Sequence, residues 1–316
     1  MTCALIGLDW GTTNLRAFLF ADSGEVLETR SSAQGAAKIS RHYGANSDKR
    51  ANGFSEAFAE LCGDWVSAQG ELPVIATGMI GSDIGIEETH YECTPVDLSD
   101  HGFDLVKTRL GMVEAHIVPG VRTAAPVPSI MRGEETTLVG LLKQISTPSS
   151  MHILPGTHSK CVLVEDGVMT QFITMMTGEL YDLLMTESTL RTPAMGSETC
   201  WESFDVGVST AIANSTTLGL DGTLFITRTQ AILSNGEVSS PRDFLSGLLI
   251  GSEVERLKAT IPSDFAGETI LSAPNTLQER YLRVLSRSGI AAKLSTGAET
   301  SEGLYALAVK HGLLGE

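Results

Sequence analysis

Short apolar runs that end in polar, glycine-bearing turns dominate the hydrophobic pattern at the start of this chain. Residues 4–8 form the first run, Asp9 follows, and after a polar turn residues 16–20 form a second run. Residues 25–30 then alternate between apolar and polar side chains, which is typical of a half-buried strand. The first thirty residues therefore predict a three-stranded antiparallel meander whose first turn carries polar side chains.

Longer segments further along the chain show helical spacing instead. Phe54, Phe58 and Trp65 recur at that spacing, and the polar, glycine-bearing residues 35–53 before them predict a loop. The other predicted helices are residues 131–142, 174–185, 206–218, 243–260, 277–288 and 299–314, and the other predicted strands lie within residues 73–78, 116–121, 151–154, 161–170 and 269–273. Strands that alternate with helices indicate an α/β protein.

Two strand–turn–strand units of the chain resemble each other. Gly11-Thr12 occupies the first turn of one unit and Gly156-Thr157 the first turn of the other, and each unit has an Asp/Gly turn one strand later. Duplicated units of this kind predict two domains that face each other across a cleft. Turns with exposed N–H groups and hydroxyls bind anions, so one such turn from each domain indicates a bound nucleoside triphosphate.

A stiff connector with Pro126 and Pro128 divides the chain, and we take it as the domain boundary. We therefore predict an N-terminal domain over residues 1–127, with the first phosphate turn and the substrate side, and a C-terminal domain over residues 128–316, with the nucleotide side. The final helix, residues 299–314, is expected to pack back against the N-terminal domain.

Charge and cysteine content narrow the range of partners. The net charge of −16 argues against nucleic acid or an anionic membrane as the main partner, although a small anionic substrate stays open. The five cysteines form no CxxC pair, which predicts reduced thiols and gives no metal-binding spacing of cysteines. Neither a signal peptide nor an apolar run of transmembrane length is present, so we expect a cytoplasmic protein. No clear oligomer interface appears, and a homodimer stays open.

Six segments, spread over most of the chain, carry a resemblance to a known family. They are DWGTTNLRAFLF at 9–20, TGMIGSDIG at 77–85, MRGEETTLVG at 131–140, LPGTHSK at 154–160, MTGELYDLL at 176–184 and FLSGLLIGSEV at 244–254. Together they resemble the 2-dehydro-3-deoxygalactonokinase family, within the sugar kinase/heat-shock chaperone/actin superfamily. The resemblance implies an α/β protein of two RNase H-like (actin-like ATPase) domains, with mixed sheets flanked by helices and an interdomain cleft.

The same resemblance implies a reaction. It is the ATP- and Mg²⁺-dependent phosphorylation of 2-dehydro-3-deoxy-D-galactonate at its terminal (6-) hydroxyl, in galactonate catabolism. The chain departs from the superfamily at the turn that contacts adenosine, which is usually glycine-rich and here contains Pro274 and Asn275. We still expect Asn275 to contact the nucleotide.

The first turn supplies the candidates for metal and phosphate binding. Asp9 ends a buried strand beside this turn, and a carboxylate there is expected to hold Mg²⁺ through water, the alternative being a turn-forming aspartate. N–H and hydroxyl donors to the β- and γ-phosphates are expected from Gly11, Thr12, Thr13 and Asn14. Arg16 is expected on the substrate side, the alternative being an outward-facing strand residue.

The second turn is expected to hold the other side of the phosphates, through Gly156, Thr157 and His158. Lys160 neutralises phosphate charge in one interpretation and is a solvated strand-edge lysine in the other. His158 is more often a hydrogen-bond partner than a general base in such a position.

A carboxylate must accept the proton of the attacking sugar hydroxyl. Glu134 and Glu135 are the leading candidates for this base because they open a predicted helix next to the domain connection. The alternative is two solvated glutamates that the helix dipole favours. Asp83 is the competing base.

The carboxylate of the substrate requires an arginine or N–H groups. Arg132 and the glycine loop with Gly81, Ser82 and Asp83 are the candidates, with Arg122 behind them. For Gly178 and Glu179, contact with the substrate and a structural role are equally open.

Three functions stay open at this point. A small-molecule kinase, for this or another sugar or sugar acid, is the first. The second is an ATPase that acts as a switch or chaperone, and the third a phosphohydrolase of polyphosphate or guanosine nucleotides. Galactonate-derived and gluconate-derived substrates differ at one stereocentre and are not separated.

Overall fold

The computed structural model describes residues 3–44, 46–70, 72–99, 103–125, 127–191, 198–233, 238–262 and 265–314. The chain forms two compact units. The first unit comprises Met1–Ser146, Val164–Gln171 and Thr296–Glu316, and the second comprises Thr147–Leu163 and Phe172–Ser295. None of the helices in the described ranges has the length and apolar character needed to span a membrane.

The described residues form strands and helices in alternation. The strands are β1 (Cys3–Trp10), β2 (Leu15–Ala21), β3 (Val26–Ser32), β4 (Val74–Gly78), β5 (Tyr91–Cys93), β6 (Val96–Asp97), β7 (Val106–Leu110), β8 (Val113–Ile117), β9 (Gly120–Thr123), β10 (Ser129–Met131), β11 (Ser149–Leu154), β12 (Ser159–Glu165), β13 (Val168–Met175), β14 (Glu268–Leu271) and β15 (Lys293–Leu294). The helices are α1 (Ala36–Tyr43), α2 (Ser47–Gln69), α3 (Glu134–Leu141), α4 (Thr177–Glu187), α5 (Trp201–Asn214), α6 (Gly219–Leu233), α7 (Pro241–Thr260), α8 (Asn275–Arg287) and α9 (Glu299–Lys310).

A six-stranded mixed sheet is the centre of the first unit, in the order β3-β2-β1-β4-β8-β7. β1, β2 and β3 pair antiparallel, which confirms the predicted meander, whereas β1, β4 and β8 run parallel. The predicted helical face of α2, with Phe54, Phe58 and Trp65, packs into the core under this sheet. A smaller sheet in the order β10-β9-β5 lies in the same unit.

The predicted loop over residues 35–53 is wrong, because α1 and the first seven residues of α2 occupy most of it. Ala36 and Ile39 are buried and anchor α1 to the core. Asn46 caps α2, its Oδ1 accepting a hydrogen bond from the Lys49 N–H at 2.9 Å. Ala36 and Ile39 are the two buried apolar side chains of this short helix and Tyr43 is partly buried, too few to produce a clear helical pattern in the sequence.

The second unit contains most of another mixed sheet, in the order β15-β14-β11-β12-β13-β6. β11, β14 and β15 run parallel, and β13 pairs antiparallel with β6. The helices α5 and α7 of this unit cross at two glycines. A Cβ atom at Gly207 would lie 2.1 Å from the Phe244 carbonyl oxygen, and one at Gly247 would lie 2.1 Å from that of Phe204. These glycines therefore serve helix packing.

The last helix, α9, packs within the first unit against α3, β1 and β4. A Cβ atom at Gly303 would lie 1.9 Å from the carbonyl oxygen of Thr136, and one at Gly140 would lie 2.0 Å from that of Glu299. This close crossing holds α3 in the first unit, which continues past the proline connector to Ser146. The domain boundary at 127/128 stays a prediction.

Helix α6 was not predicted, and the helix expected over residues 206–218 ends as α5 at Asn214. Leu220 and Leu224 of α6 face the core of the second unit, whereas Phe225 and Ile232 are exposed. Apolar residues on two faces give no single helical stripe, so the sequence pattern does not reveal this helix.

Candidate functional site

The first Gly-Thr turn connects β1 to β2 and presents its side chains to solvent. Trp10 pairs with Leu15 across the hairpin, and the Gly11 N–H donates to the Asn14 carbonyl oxygen at 2.9 Å. The side chains of Thr12, Thr13 and Asn14 are exposed. Two hydroxyls and an amide are therefore available to a ligand at this turn.

The N-terminus of α1 holds the first turn from behind. The N–H groups of Gly35, Ala36 and Ala37 donate to the carbonyl oxygens of Thr13, Gly11 and Thr12 at 3.0, 3.0 and 3.1 Å. Gly35 must be glycine, because a Cβ atom there would lie 2.2 Å from the carbonyl carbon of Thr13. The carbonyl oxygens, which would repel a phosphate, are thus directed into the protein.

Asp9 lies beside this turn, between two neighbouring strands. It is opposite Thr77 on β4 and opposite Arg16 on β2, and the Arg16 Nε is 3.6 Å from the Asp9 Oδ2. The Asp9 side chain keeps 20% of its surface exposed. Burial raises the pKa of Asp9, Arg16 lowers it, and the negative charge of Glu134 raises it again. Asp9 and Glu134 therefore place two carboxyl groups within electrostatic reach of each other.

The two glutamates at the start of α3 differ in environment. Glu135 is fully buried, and both of its carboxyl oxygens accept from the Gly133 N–H at 2.7 Å. The Thr77 hydroxyl donates to the Glu135 Oε1 at 3.1 Å. Glu134 is half-buried, and its Oε2 accepts from the Arg132 N–H at 3.1 Å. Glu135 thus ties α3 to β4, whereas Glu134 retains exposed surface.

Burial raises the pKa of Glu135 to about 7, and the charge of Glu134 adds to this shift. The hydrogen bonds from Gly133 and Thr77 oppose it. A carboxyl group that is closed off from solvent and hydrogen-bonded to Gly133 and Thr77 is placed to hold α3 against β4.

Two glycines bring α3 against the ends of β1 and β4. Gly78 has a φ of 87°, and a Cβ atom there would lie 2.7 Å from the Trp10 carbonyl oxygen. Gly133 has a φ of 111°, and its Cβ atom would lie 3.3 Å from the Gly78 Cα. Both backbone conformations favour glycine. The stack Trp10–Gly78–Gly133 sets the distance between Asp9 and the glutamates.

Arg132 is fixed beside the predicted substrate loop. Its Nη1 and Nη2 donate to the Oγ1 and carbonyl oxygen of Thr89, the latter at 3.1 Å, and its guanidinium lies 4.3 Å from the centre of the Tyr91 ring. A Cβ atom at Gly81 would lie 3.0 Å from the Arg132 Nη1. Among the described residues no carboxylate forms an ion pair with the Arg132 guanidinium. This cation is therefore available to an anionic ligand.

The other residues of the predicted substrate loop serve local structure. Ser82 is buried, and its hydroxyl donates to the Met79 carbonyl oxygen at 2.7 Å. Asp83 is exposed, and its Oδ1 accepts from the Ile84 N–H at 3.0 Å. The Arg122 side chain is exposed on β9, where its Nε donates to the Cys93 sulfur at 2.9 Å.

The second Gly-Thr turn connects β11 to β12 and is also held by a helix N-terminus, that of α4. The Glu179 N–H donates to the Thr157 carbonyl oxygen at 2.9 Å, and the His158 Nε2 pairs with the Glu179 carboxylate. Gly178 must be glycine, because a Cβ atom there would lie 2.3 Å from the Gly156 carbonyl oxygen. Glu179 and Gly178 thus support the turn.

Lys160 lies under this second turn. It is buried, with 4% of its surface exposed, and its Nζ donates to the His158 carbonyl oxygen at 3.2 Å. The interpretation of Lys160 as a solvated strand-edge lysine is therefore wrong. β12 is an inner strand of its sheet, which explains the burial.

A buried polar network that the sequence did not reveal lies behind the second turn. The Tyr281 hydroxyl donates to the Glu253 Oε2 at 2.9 Å and lies 3.2 Å from the Ser159 hydroxyl. Burial raises the pKa of Glu253 to about 7. The only signal was an acidic residue inside the apolar segment of α7, which alone does not identify its partners.

A cavity of about 230 Å³ adjoins the second turn. Its lining includes Gly156, Gly178, Tyr181, Ser246, Leu277 and Arg280. Asn275, the predicted nucleotide contact, is the exposed first residue of α8, and its Oδ1 accepts from the Gln278 Nε2 at 3.2 Å. The cavity combines apolar walls with a cation next to a phosphate-type turn.

Within the described ranges, no group of three or more His, Cys, Asp or Glu side chains could hold a metal ion. Mg²⁺ does not need one, because it keeps several waters and binds through one or two carboxylates plus substrate phosphates. Asp9, with Glu134 close enough to raise its pKa, fits that requirement.

Known proteins are similar to this chain in sequence over most of its length. The model of a family described as 2-keto-3-deoxy-galactonokinase matches residues 9–307, a span that includes both turns and both glutamates. The 2-dehydro-3-deoxygalactonokinase of Escherichia coli (strain K12) is 32% identical over 292 residues, which cover 92% of this chain and 91% of the relative.

Solved structures share the fold. A Sinorhizobium meliloti protein assigned as a 2-dehydro-3-deoxygalactonokinase superimposes with a TM-score of 0.80 at 28% identity, covering 96% of this chain and 98% of its own. The activator of 2-hydroxyisocaproyl-CoA dehydratase from Clostridium difficile, solved with bound ADPNP, reaches a TM-score of 0.50 at 13% identity, covering 97% and 95%. This second likeness concerns the fold alone. The expected α/β fold, with mixed sheets and helices, is confirmed.

Proposed function

The chain belongs to the 2-keto-3-deoxy-galactonokinase family, and we propose that it transfers the γ-phosphoryl group of ATP to the terminal hydroxyl of 2-dehydro-3-deoxy-D-galactonate. The protein is a sugar kinase, a phosphotransferase with an alcohol acceptor. One observation carries the proposal at the level of the site: the Asp9 carboxyl group lies beside an exposed Gly-Thr turn, and Glu134 is near enough to raise the pKa of Asp9. The product is the 6-phosphate.

We assign Asp9 to hold Mg²⁺ through water. The metal, when bound, neutralises charge on the β- and γ-phosphate oxygens. The partial exposure of the Asp9 side chain and the raised pKa that the nearby Glu134 contributes to support this role, because a cation between two carboxyl groups relieves their repulsion. The hydroxyls of Thr12 and Thr13 and the amide of Asn14 donate to phosphate oxygens.

We assign the general base to Glu134 rather than Glu135. A base must reach the hydroxyl whose proton it accepts. Glu134 keeps exposed surface, and one of its carboxylate oxygens takes that proton as the sugar oxygen attacks the γ-phosphorus. Glu135 has no exposed surface and acts by positioning the start of α3. Asp83 stays the competing candidate for the base, because it is also exposed.

We assign Arg132 to the carboxylate of the substrate. Thr89 and Tyr91 orient its guanidinium, and within the described ranges no carboxylate of the chain neutralises it. The remaining N–H groups of a guanidinium held in this way donate to a carboxylate. Gly81 leaves room for this guanidinium, because a Cβ atom there would lie 3.0 Å from the Arg132 Nη1, and Arg16 adds positive charge next to Asp9.

We assign the second turn to the nucleotide. Gly156, Thr157 and His158 donate to phosphate oxygens, and the buried Lys160 adds positive charge beneath them. The cavity of about 230 Å³ beside the turn suits the nucleoside, with Arg280 and Tyr181 in its wall. Asn275 stays a predicted contact to the nucleotide.

A coupled ADP-release assay tests the proposed function. We expect turnover that requires both ATP and 2-dehydro-3-deoxy-D-galactonate, with the 6-phosphate as product by mass spectrometry. The gluconate-derived epimer, assayed in parallel, decides the stereochemical preference. Strong ATPase activity without any acceptor would support a switch or chaperone instead, and phosphate release from polyphosphate without ATP would support a phosphohydrolase.

The cellular location of the enzyme is also a proposal. Use of ATP and five free cysteines support a cytoplasmic location, which cell fractionation would test.

A further inference from the structure

Helix α6 of the second unit carries an apolar face that the described part of the chain leaves exposed. Leu220 and Leu224 on its inner side pack into the core. On the opposite side, Leu218 just before the helix, Phe225 and Ile232 have exposed fractions of 54%, 61% and 62%. These three residues recur every seven positions, which places them in one row along the helix.

The row continues through smaller and charged residues. Asp221, Gly222 and Arg228 are exposed between the apolar residues at the same helical spacing. Leu218 shares their side of the helix, because a Cβ atom at Gly222 would lie 2.9 Å from the Leu218 Cβ. We call this set the α6 outer face; it consists of Leu218, Asp221, Gly222, Phe225, Arg228 and Ile232.

The charges of the α6 outer face are complementary to one another under a two-fold rotation. Asp221 precedes Phe225 by four residues and Arg228 follows it by three, and within the described ranges neither charge forms an ion pair. If two copies of the helix run antiparallel with the rotation axis near Phe225, Asp221 of each copy meets Arg228 of the other. Leu218 then meets Ile232, and the two Phe225 rings meet at the axis.

We propose that two copies of this chain associate through the α6 outer face as a two-fold symmetric dimer. A self-complementary surface is what an isologous interface requires, whereas a different partner would not need both charges on one helix. The contact spans about 21 Å of helix, at 1.5 Å per residue. Because such an area is small, we expect a dissociation constant of roughly 1–10 μM. The proposal is independent of the proposed function, because α6 carries none of the assigned site residues.

Sedimentation velocity from about 0.5 to 200 μM, bracketing that constant, tests the dimer. We expect the wild type to change from monomer to dimer in this range, and Phe225→Asp to raise the dissociation constant at least about 30-fold, since each dimer contains the change twice. Met112→Asp is the matched control, an equally apolar residue with 85% exposure in the first unit, and should leave the constant unchanged. Unchanged kinase activity and melting temperature show that each variant is folded.

Charge reversal identifies the interface itself. Asp221→Arg and Arg228→Asp should each weaken the dimer about tenfold or more, and the double reversal should restore it to within about threefold. Equal amounts of the two single variants should form a mixed dimer. A wild type that stays monomeric at the highest concentration overturns the proposal. So does a dimer that is insensitive to Phe225→Asp, or a double reversal that fails to restore association.

Discussion

The two Gly-Thr turns of this kinase share one support and differ in their surroundings. Each turn has its carbonyl oxygens held by the N-terminus of a helix, and each helix approaches through a glycine, Gly35 at the first turn and Gly178 at the second. The first turn lies beside the carboxyl group of Asp9, whose pKa the nearby Glu134 raises. The second adjoins the buried ammonium of Lys160.

This difference separates two tasks within one repeated structure. A turn that directs its carbonyls into the protein and its donors outward suits phosphate in either unit. Negative groups beside the first turn suit metal binding and proton acceptance, and a cation with a cavity beside the second suits retention of the nucleotide. Changes at the first turn should therefore reduce turnover, and changes at the second should reduce nucleotide affinity.

The largest effect is expected for Asp9→Asn. Loss of this carboxylate removes the proposed hold on Mg²⁺ and should lower kcat by about 10³-fold or more. Steady-state ADP release over a range of Mg²⁺ concentrations measures it. Asp22→Asn, an exposed aspartate in the turn between β2 and β3, is the control and should behave as wild type. A variant of Asp9 with normal Mg²⁺ dependence and turnover would remove the metal assignment.

The next effect separates the two glutamates. Glu134→Gln should lower kcat by roughly 10²-fold with little change in the KM for ATP, because it loses only the proton acceptor. Glu135→Gln keeps the hydrogen bond from Thr77 and should lower kcat by less than about tenfold, since its role is to position α3. The reverse order of the two kcat values would transfer the base to Glu135.

Alanine at the supporting glycines tests the shared construction. Gly178→Ala forces the second turn away from α4 and should raise the KM for ATP by about 10- to 30-fold, whereas Gly35→Ala should mainly lower kcat. Gly63→Ala is the control, since a Cβ atom at Gly63 meets nothing within 4 Å inside helix α2. Equal effects of both variants on both constants would contradict the division of tasks.

Stability should depend on pH through Glu135 and Glu253. Burial raises the pKa of each to about 7, whereas the unfolded chain titrates near the ordinary value of 4.5. Between these values the unfolded chain has released protons that the folded protein keeps, so the contribution of these two groups to stability falls as pH rises from about 4.5 to 7 and levels off above that.

Glu253→Gln should remove the part of this pH dependence that Glu253 causes. The free energy of unfolding of the variant, relative to that of wild type, should therefore be about 1–3 kcal/mol higher at pH 8 than at pH 5. Thermal unfolding over this pH range measures it, with the exposed Glu60→Gln as control. If the two profiles of Glu253→Gln and wild type stay parallel, Glu253 is ionised in the folded protein.

The smallest effect is expected for His158→Gln. The His158 ring pairs with Glu179 at the exposed second turn, and its loss should raise the KM for ATP about threefold and leave kcat nearly unchanged. A loss of kcat near 10²-fold would instead support His158 as a general base.

The chemistry of short sequence segments explains which parts of this site could be predicted from the sequence. Gly11-Thr12 and Gly156-Thr157 repeat a pattern whose N–H and hydroxyl donors have an obvious use, and the turns were predicted where they occur. The helices that support these turns are harder to predict. The sequence pattern places the start of α4 at residue 174, but β13 continues to Met175, and it indicates a loop where α1 lies.

The features that the sequence pattern does not predict depend on tertiary contacts. Glu134 and Glu135 are identical in chemistry and adjacent, so only the packing of α3 against Thr77 and Gly78 decides which carboxyl is closed off. Thr77 faces Asp9 because of the parallel register of β1 and β4, which the sequence pattern does not specify. Lys160 is buried because β12 is an inner strand.

Calorimetric titration of a non-hydrolysable ATP analogue into Glu134→Gln and Gly178→Ala tests the division of tasks most directly. This division of tasks predicts that Glu134→Gln, with its kcat reduced, binds the analogue with an affinity within about threefold of that of wild type. Gly178→Ala should bind it at least about tenfold more weakly while keeping most of its turnover at saturating ATP. Normal binding by Gly178→Ala, together with lost binding by Glu134→Gln, would contradict it.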